Sequence, residues 1–123
     1  MSYRFYLSGE TPAKKNSKRI VRHGRLISSQ KFYEWHDSAL QKLLKQEKPK
    51  SPLEVPLEIN LKFYHNNKMR RDSDNQTTSI LDLLKDANII KDDNWQIVTK
   101  IQIQNFFDKN NSHCEIEITK LTV

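Results

Sequence analysis

The chain has 123 residues, a length that fits one domain with its own core and excludes two. Its one cysteine, Cys114, excludes an internal disulfide and fits a reducing compartment. No apolar run is long enough to cross a bilayer, and we expect no signal peptide, since Met1-Ser2-Tyr3-Arg4 leads straight into charged sequence. We therefore expect a soluble, cytoplasmic protein that forms a single domain over residues 1–123.

The formal net charge of +6 is unevenly distributed. Residues 1–50 carry twelve Lys and Arg against four Asp and Glu, whereas residues 51–123 carry nine against eleven. A basic half beside an acidic half suggests that one part holds a polyanion and the other a metal ion. A merely soluble, lysine-rich surface explains the charge equally well by itself.

The first half of the chain predicts a strand, a loop, a short ribbon and a helix. Alternating aromatic residues predict the strand at Tyr3–Ser8, and Gly9, Pro12 and Asn16 mark the loop. A ribbon over Arg19–Ser28 would turn at Gly24. Ser28 or Ser29 is a candidate N-cap for the helix, which we predict over Lys31–Lys48. Its apolar residues recur at helical spacing: Phe32, Trp35, Ala39, Leu40, Leu43 and Leu44.

The second half predicts a strand, a helix and two more strands. Period-two alternation predicts strands over Leu57–Tyr64, Gln96–Phe107 and His113–Val123, the last two joined as a hairpin across Asp108–Asn111. A helix of about 14 residues runs from Asp74 to Asn88, with Asn88 at C′. Its predicted apolar face is Ile80, Leu81, Leu84 and Ala87, with Leu83 at the border. Strands separated by helices favour βαβ crossovers and a mixed sheet, which is an α/β (α+β) domain with two main helices on one sheet face.

Two acidic pairs flank the second helix. Asp72 and Asp74 would point the same way in an extended chain, whereas in a helix they would diverge by about 200°. We therefore expect them just before the helix, with Asp74 or Asn75 as its N-cap. Asp92-Asp93 follows the helix, which is about 21 Å long, and spacing alone does not show that the exit loop returns Asp93 to the first pair.

Carboxylates that converge on one hard cation, with Arg70 and Arg71 beside them, suit metal-assisted chemistry on a phosphate. Mg²⁺ prefers such oxygen-only sites and completes its coordination with water and substrate phosphate. The plainer alternative is that Asp74 is a cap, that Asp-Asp-Asn forms a turn, and that the arginines make ordinary ion pairs.

The same residues resemble a known family. The segments Arg70-Arg71-Asp72-Ser73-Asp74-Asn75, Leu81-Asp82-Leu83-Leu84 and Lys91-Asp92-Asp93-Asn94-Trp95-Gln96-Ile97 are similar to the R-D-x-D-N, L-D-x-L and D-D-x-Q-V motifs of the RusA family of Holliday junction resolvases. Pro12-Ala13-Lys14-Lys15-Asn16 resembles the family's P-P-S-x-N segment. Length, strand order and basic charge agree, so the resemblance covers nearly the whole chain.

The resemblance implies a homodimeric, Mg²⁺-dependent endonuclease, with Mn²⁺ as a possible substitute, that cuts four-way DNA junctions by paired nicks in recombination and repair. Small resolvases of this type often look phage-derived. The resemblance assigns catalysis and metal binding to Asp72, Asp74 and Asp93, makes Asp92 a turn former and leaves Asp82 a structural role. The alternatives are a branched-DNA-binding protein that has lost cleavage and an RNA-binding domain whose acids are caps.

One position departs from the family pattern. The prototype carries a functionally important lysine four residues after the second motif aspartate, where this chain has Thr78. Lys85, further along roughly the same helical stripe, and Lys91, near Asp93, are candidates for the missing role. Thr78 is therefore the position at which we most expect the activity of this chain to differ from that of its relatives.

A cluster of cations predicts contacts with DNA phosphates. Six lie within twelve residues, with no acid among them, and Arg70 and Arg71 join them as candidates near the metal. The alternative for this cluster is a solvated charged loop. The predicted DNA-binding residues are Lys14, Lys15, Lys18, Arg19, Arg22, Arg25, Arg70 and Arg71.

Of the two tryptophans, we expect Trp35 in the core, and Trp95 packed on the sheet rather than wedged into a junction.

Overall fold

A computed structural model describes residues 2–13, 18–20, 26–28 and 30–121. Each predicted helix and strand is present in the predicted order. The elements are β1 Ser2–Ser8, β2 Lys18–Ile20, β3 Leu26–Ser28, α1 Gln30–Leu44, β4 Leu57–His65, α2 Ser73–Asp86, β5 Val98–Phe107 and β6 His113–Lys120. α1 ends at Leu44 instead of Lys48, where Pro49 and Pro52 already disfavour a longer helix. None of the helices among the described residues is long and apolar enough to cross a membrane.

The predicted mixed sheet is confirmed. Its four strands lie in the order β1-β6-β4-β5, with β4 and β5 parallel and the other neighbours antiparallel. α2 forms the crossover between β4 and β5, as expected for parallel strands. β2 and β3 pair as the predicted antiparallel ribbon, and the turn predicted at Gly24 lies outside the described residues.

The predicted hairpin between the last two strands is wrong. Among the described strands, β5 pairs with β4 alone, and β6 lies on the other side of β4, where Leu61 is opposite Ile116. The link after β5 passes over the end of β4, since the Asp108 N–H donates to the His65 carbonyl (2.8 Å). Alternation and a turn-rich link are local signals, and they do not specify which strand is the neighbour.

Both helices cover one face of the sheet, as predicted. The core joins residues of all four sheet strands to α1 and α2, and Trp35 packs against it as expected. On α2 the predicted roles of two leucines are exchanged, because Leu83 is fully buried and Leu81 partly exposed. Asn88 has φ of 58°, which confirms the left-handed C′ residue that ends the helix.

Candidate active site

The first acidic pair straddles the start of α2. Asp72 is the N-cap, with extended backbone at φ −97° and ψ 119°. Its carbonyl accepts hydrogen bonds from the N–H groups of Asn75 (3.1 Å) and Gln76 (3.3 Å). The prediction that Asp74 or Asn75 caps the helix is therefore wrong, because the helix starts earlier and Asp74 lies in its first turn. Both carboxylates are at the partially positive end of the helix, which favours negative charge there.

Neither carboxylate is used to cap the helix. Asp72 makes no side-chain capping hydrogen bond, and the Nε of Arg70 lies 3.7 Å from its Oδ1. Within the part of the chain that the structure describes, the Asp74 carboxylate has no hydrogen bond or ion pair, and its side chain is exposed. Asp at a helix start normally accepts from a free backbone N–H. These two acid groups are instead left available to an external ligand.

Ser73, between the two aspartates, is anchored to the sheet. Its Oγ accepts a hydrogen bond from the Asn105 amide of β5 (2.9 Å). The side-chain oxygen Oδ1 of Asn105 in turn contacts Nε2 of His65, the last residue of β4 (2.8 Å). The middle residue of the acidic motif is thus tied to the carboxyl ends of both parallel strands, which fixes the backbone from which Asp72 and Asp74 project.

Glu10 holds the loop that leads into the motif. Its carboxylate contacts His65 Nδ1 (2.9 Å) and Arg71 Nη2 (3.0 Å), and it accepts from the Gln76 amide (3.3 Å). Arg71 also donates to the backbone carbonyl of Met69 (3.1 Å), so its guanidinium is committed within the protein. These contacts connect the segment after β1 to the loop before α2 and to the first turn of the helix.

The two neighbouring arginines therefore have different surroundings. The side chain of Arg71 is 18% exposed and that of Arg70 is 91% exposed. Arg70 touches Asp72 alone among the described ion pairs, and its guanidinium keeps most of its donors free. Of the two, Arg70 is placed to bind a phosphate beside the aspartates.

A cleft of about 350 Å³ adjoins Ser73 at the carboxyl ends of β4 and β5. Lys68 and Met69 from the loop line it together with Asn105 and Phe107 from the end of β5. Lys68 Nζ lies 5.2 Å from the centre of the Phe107 ring. In open sheets with parallel strands this end is where ligands commonly bind. The acidic motif thus borders a concave surface that is both basic and aromatic.

The second acidic pair forms a turn before β5. The Asp92 carboxylate accepts from the Asp93 backbone N–H (2.8 Å) and the Asn94 amide (3.2 Å). These hydrogen bonds, the one from Asp93 foremost, lower the pKa of Asp92. The turn-forming role that the resemblance implies for Asp92 agrees with this geometry. The side-chain carboxylate of Asp93 takes no part in these hydrogen bonds and faces Lys85.

Lys85 connects Asp93 to α2. Its Nζ lies 3.4 Å from Asp93 Oδ1 and 3.6 Å from Asp82 Oδ1. Partial burial opposes the charge of Lys85, but the carboxylates of Asp93 and Asp82 outweigh it, so the pKa of this lysine is raised. Lys85 is therefore charged at neutral pH and neutralises Asp93.

One chain does not bring Asp93 beside the first pair. Lys85 is eleven residues beyond Asp74 in the same helix, which corresponds to about 16 Å along the axis. The loop that carries Asp93 leads to the start of the sheet, where the Ile97 carbonyl accepts from the N–H of Leu57 (2.7 Å). Among the described residues, no three side chains of Asp, Glu, His or Cys lie close enough to share one ion.

The chemistry of the donors nevertheless fits Mg²⁺. Asp72 and Asp74 offer carboxylate oxygens, with no thiol among them, and both are exposed and uncapped. Mg²⁺ is typically held by one or two protein carboxylates and keeps its remaining positions for water and substrate phosphate. These two side chains could hold such an ion, and a third carboxylate would complete the predicted set.

Comparison with known families decides between the plain and the catalytic interpretation. The family model described as endodeoxyribonuclease RusA matches residues 10–119 of the 123-residue chain. The chain belongs to the RusA family. The matched segment begins at Glu10 and includes both acidic motifs, and the family's activity makes this protein a nuclease. No curated protein matches the chain.

The position of the family lysine lies on the exposed stripe of α2. Thr78 donates its hydroxyl to the Asp74 carbonyl (3.0 Å), one turn away, and places no cation there. Of the two substitutes, Lys85 contacts Asp93, whereas the described contact of Lys91 is between its backbone N–H and the Leu53 carbonyl. Lys85 is thus the lysine that this RusA-family chain places against a predicted metal ligand.

The basic segment predicted to bind DNA lies largely beyond what the structure describes. Lys14, Lys15, Arg22 and Arg25 are outside the described residues. Lys18 and Arg19 belong to β2, and their side chains are likewise outside the description. Their predicted contacts with phosphates stay a prediction.

Sequence reasoning missed three residues of the network. His65 lies just beyond the strand predicted over Leu57–Tyr64, but it ends β4 with a side chain only 12% exposed. Glu10 had one available signal, because it is the single acid among the first 33 residues of a basic segment. Asn105 had none, since its partner Ser73 is distant in sequence.

Trp95 also differs from expectation. Its side chain is 79% exposed, so the prediction that it packs on the sheet is wrong. The family pattern has one residue between its second aspartate and the glutamine, whereas this chain has Asn94 and Trp95 between Asp93 and Gln96.

Proposed function

We propose that this protein is a Mg²⁺-dependent, homodimeric endonuclease that resolves Holliday junctions by paired cuts. The observation that carries the proposal is the state of Asp72 and Asp74. In a chain of the RusA family, both carboxylates flank an anchored Ser73 and neither caps the helix that they begin. A structural acid at this position would normally bond the helix N–H groups.

Each part of the site has a role in this reaction. Asp72 and Asp74, with Asp93 as the third ligand, would hold the ion. The ion, when bound, would activate a water molecule and offset the charge of the phosphate. Arg70 binds the phosphate backbone beside the aspartates, and Glu10 and Asn105 keep the loop and Ser73 in place. Lys85 orients Asp93.

Resolution of a four-way junction needs two coordinated cuts, and a twofold dimer supplies two equivalent sites. The DNA arms would be held by their phosphates through Lys14, Lys15, Lys18, Arg19, Arg22 and Arg25.

The free thiol of Cys114 fits a cytoplasmic location, where the substrate DNA also lies. Mn²⁺ would substitute for Mg²⁺, since it also accepts oxygen ligands.

A second function is favoured by one observation, the threonine at the position of the family lysine. Thr78 supplies no charge to the developing transition state. A chain of this kind would bind branched DNA and cut it weakly or not at all. In that case Lys85 is a structural partner of Asp93 without a catalytic contribution.

Incubation with a synthetic four-way junction separates the two functions. Labelled junction and a linear duplex of the same sequence would be titrated with protein in Mg²⁺, in Mn²⁺ and in chelator, and the products resolved on denaturing gels. We expect metal-dependent cuts in the junction and none in the duplex. Binding without cutting at any metal concentration would establish the second function, and failure to bind the junction would contradict both.

A further inference from the structure

The loop before the acidic motif holds the backbone of Met69 in place. The side-chain oxygen of Asn67 accepts from the Met69 N–H (3.1 Å) and from the Arg71 guanidinium (2.8 Å). The same guanidinium donates to the Met69 carbonyl (3.1 Å) and is itself held by the Glu10 carboxylate (3.0 Å). Both backbone polar groups of Met69 are therefore bonded within the protein, which restricts where its side chain can reach.

The side chain of Met69 is largely exposed, and a cation lies on each side of it in the sequence. It is 70% exposed, with Lys68 before it and Arg70 after it. A lone exposed apolar side chain is common on protein surfaces. Met69 is not alone, because Phe106 and Phe107 are 39% and 53% exposed and line the same cleft of about 350 Å³. The three apolar side chains therefore form one exposed surface beside the acidic motif.

The cleft has the chemistry of a site for a nucleobase. The Phe107 ring is a surface on which a base can stack, and Lys68 Nζ, 5.2 Å from the ring centre, can contact a phosphate. The Asn67 oxygen already accepts from two donors, whereas among the described residues its amide nitrogen makes no hydrogen bond. That nitrogen is thus available to the acceptors on a base edge. The cleft volume also lies within the range of about 300–1,000 Å³ that is usual for small-ligand sites.

The cleft is close to the predicted point of cleavage. Met69 is three residues before Asp72, so their Cα atoms are at most about 11 Å apart. That distance corresponds to about three nucleotide steps of about 3.4 Å. The cleft also adjoins Ser73, which lies between the two aspartates. A DNA strand whose phosphate lies at the aspartates therefore passes Met69 within a few nucleotides.

We propose that Met69 inserts between two bases at the branch point, and that the cleft beside Ser73 receives the base that Met69 displaces. Methionine is one of the apolar side chains that proteins insert between base steps. Displacement costs least for a base that already lacks a stacked neighbour, as at a branch point. A continuous duplex resists insertion, so Met69 would favour junctions over duplex. This proposal rests on the proposed function and adds a means by which the site selects branched DNA.

Base displacement is tested in chelator, where no strand is cut. Junctions would carry 2-aminopurine at each nucleotide flanking the branch point in turn. Its fluorescence rises when it loses its stacked neighbours, and we expect saturating wild type to raise it at least about twofold at one of these positions. Met69→Ala should give no rise, whereas Val55→Ala, 44% exposed at the other end of β4, should match the wild type. No rise with the wild type, or an equal rise with Met69→Ala, would overturn the proposal.

A mismatch separates insertion from a merely structural role of Met69. Met69→Ala should bind a fully paired junction on the order of tenfold more weakly than the wild type. A mismatched pair beside the branch point makes displacement less costly, so the two proteins should bind that junction with affinities within about twofold of each other. Met69→Leu keeps an apolar side chain of similar length and should match the wild type on both junctions. An equal loss of affinity by Met69→Ala on both junctions would overturn the insertion.

An abasic nucleotide tests the cleft. Phe107→Leu should weaken junction binding on the order of tenfold, because the displaced base loses its stacking partner. When the nucleotide at the displaced position lacks its base, the wild type and Phe107→Leu should bind equally. Tyr33→Leu is the matched control, since Tyr33 is also 53% exposed but lies on α1. Circular dichroism and urea midpoints would confirm that the variants fold. A loss from Phe107→Leu that persists with the abasic nucleotide would overturn the assignment of the cleft.

The failures are distinguishable. A wild type that binds the junction but cuts it in neither Mg²⁺ nor Mn²⁺ contradicts the proposed function, while the fluorescence in chelator still decides the role of Met69. A wild type that cuts the junction but raises the fluorescence at no position contradicts the insertion of Met69 and leaves the proposed function standing.

Discussion

Asn105, near the end of β5, donates a hydrogen bond to Ser73 between the two aspartates of the acidic motif. The bond couples the sheet to the catalytic loop across 32 residues of sequence. Asn105→Ala should slow junction nicking about 2- to 10-fold, because one positioning hydrogen bond is worth about 0.5–1.5 kcal/mol. Single-turnover cleavage would measure it. Gln104→Ala, on the opposite face of the strand, should match the wild type, and equal rates for all three proteins would contradict the role of Asn105.

Truncation of Arg70 should affect DNA binding, whereas truncation of Arg71 should affect the stability of the fold. Arg70→Ala removes an exposed cation, so we expect weaker junction binding. The slope of log affinity against log salt concentration should fall by the amount that corresponds to about one phosphate contact. Its unfolding free energy should stay within about 0.5 kcal/mol of the wild type. Fluorescence anisotropy over a range of salt concentrations and urea unfolding would measure the two effects.

Arg71→Ala should instead lower the unfolding free energy by about 1–3 kcal/mol, since Glu10 and the loop carbonyls lose their charged hydrogen-bond donor. The same two measurements apply to it. An Arg71→Ala protein as stable as the wild type, or an Arg70→Ala protein with unchanged salt dependence, would contradict the difference that their surroundings indicate.

Glu10 is predicted to stabilise the site loop. Glu10→Ala leaves His65 and Arg71 without their shared carboxylate, which should lower the unfolding free energy by about 1–3 kcal/mol. Glu47→Ala, an exposed acid just beyond α1, serves as the matched control and should change stability by less than about 0.5 kcal/mol. If urea midpoints of the two variants coincide, Glu10 does not hold this loop.

Cys114 should be inert in the folded protein. Burial raises the pKa of its thiol, and the carboxylates of Glu115 and Glu10 raise it further. The folded state therefore keeps the proton where the unfolded state loses it, so this group's contribution to stability falls as the pH rises above the usual thiol pKa of about 8.5. Labelling with a chromogenic disulfide at pH 9 should follow unfolding, and rapid labelling without urea would contradict the burial.

The elements of the fold could be predicted from sequence because their signals are local. Alternation identified the strands, helical spacing identified both helices, and Asn88 marked a helix end. The neighbour of β5 could not be predicted, since β4 takes that place by a crossover that alternation does not encode. The start of α2 was misplaced because Asp72, Asp74 and Asn75 are all of residue types that cap helices, and the backbone conformation decides among them.

The candidate site was predictable as a motif but not as a network. Asp72, Asp74 and Asp93 stand out by residue type and spacing, whereas Glu10 and Asn105 act through contacts between distant segments. The separation of Asp93 from the first pair follows from the length of α2. The length of α2 could be estimated from the sequence, but the path of the loop that follows the helix could not.

The proposed function requires the uncapped carboxylates beside Ser73 to support Mg²⁺-dependent cleavage of branched DNA. Asp74→Asn tests it most directly, with Asp37→Asn on the exposed side of α1 as the control. We expect Asp74→Asn to bind a four-way junction and to unfold like the wild type, yet to nick the junction at least about 100-fold more slowly in Mg²⁺. An Asp74→Asn protein that cuts the junction at the wild-type rate would contradict it.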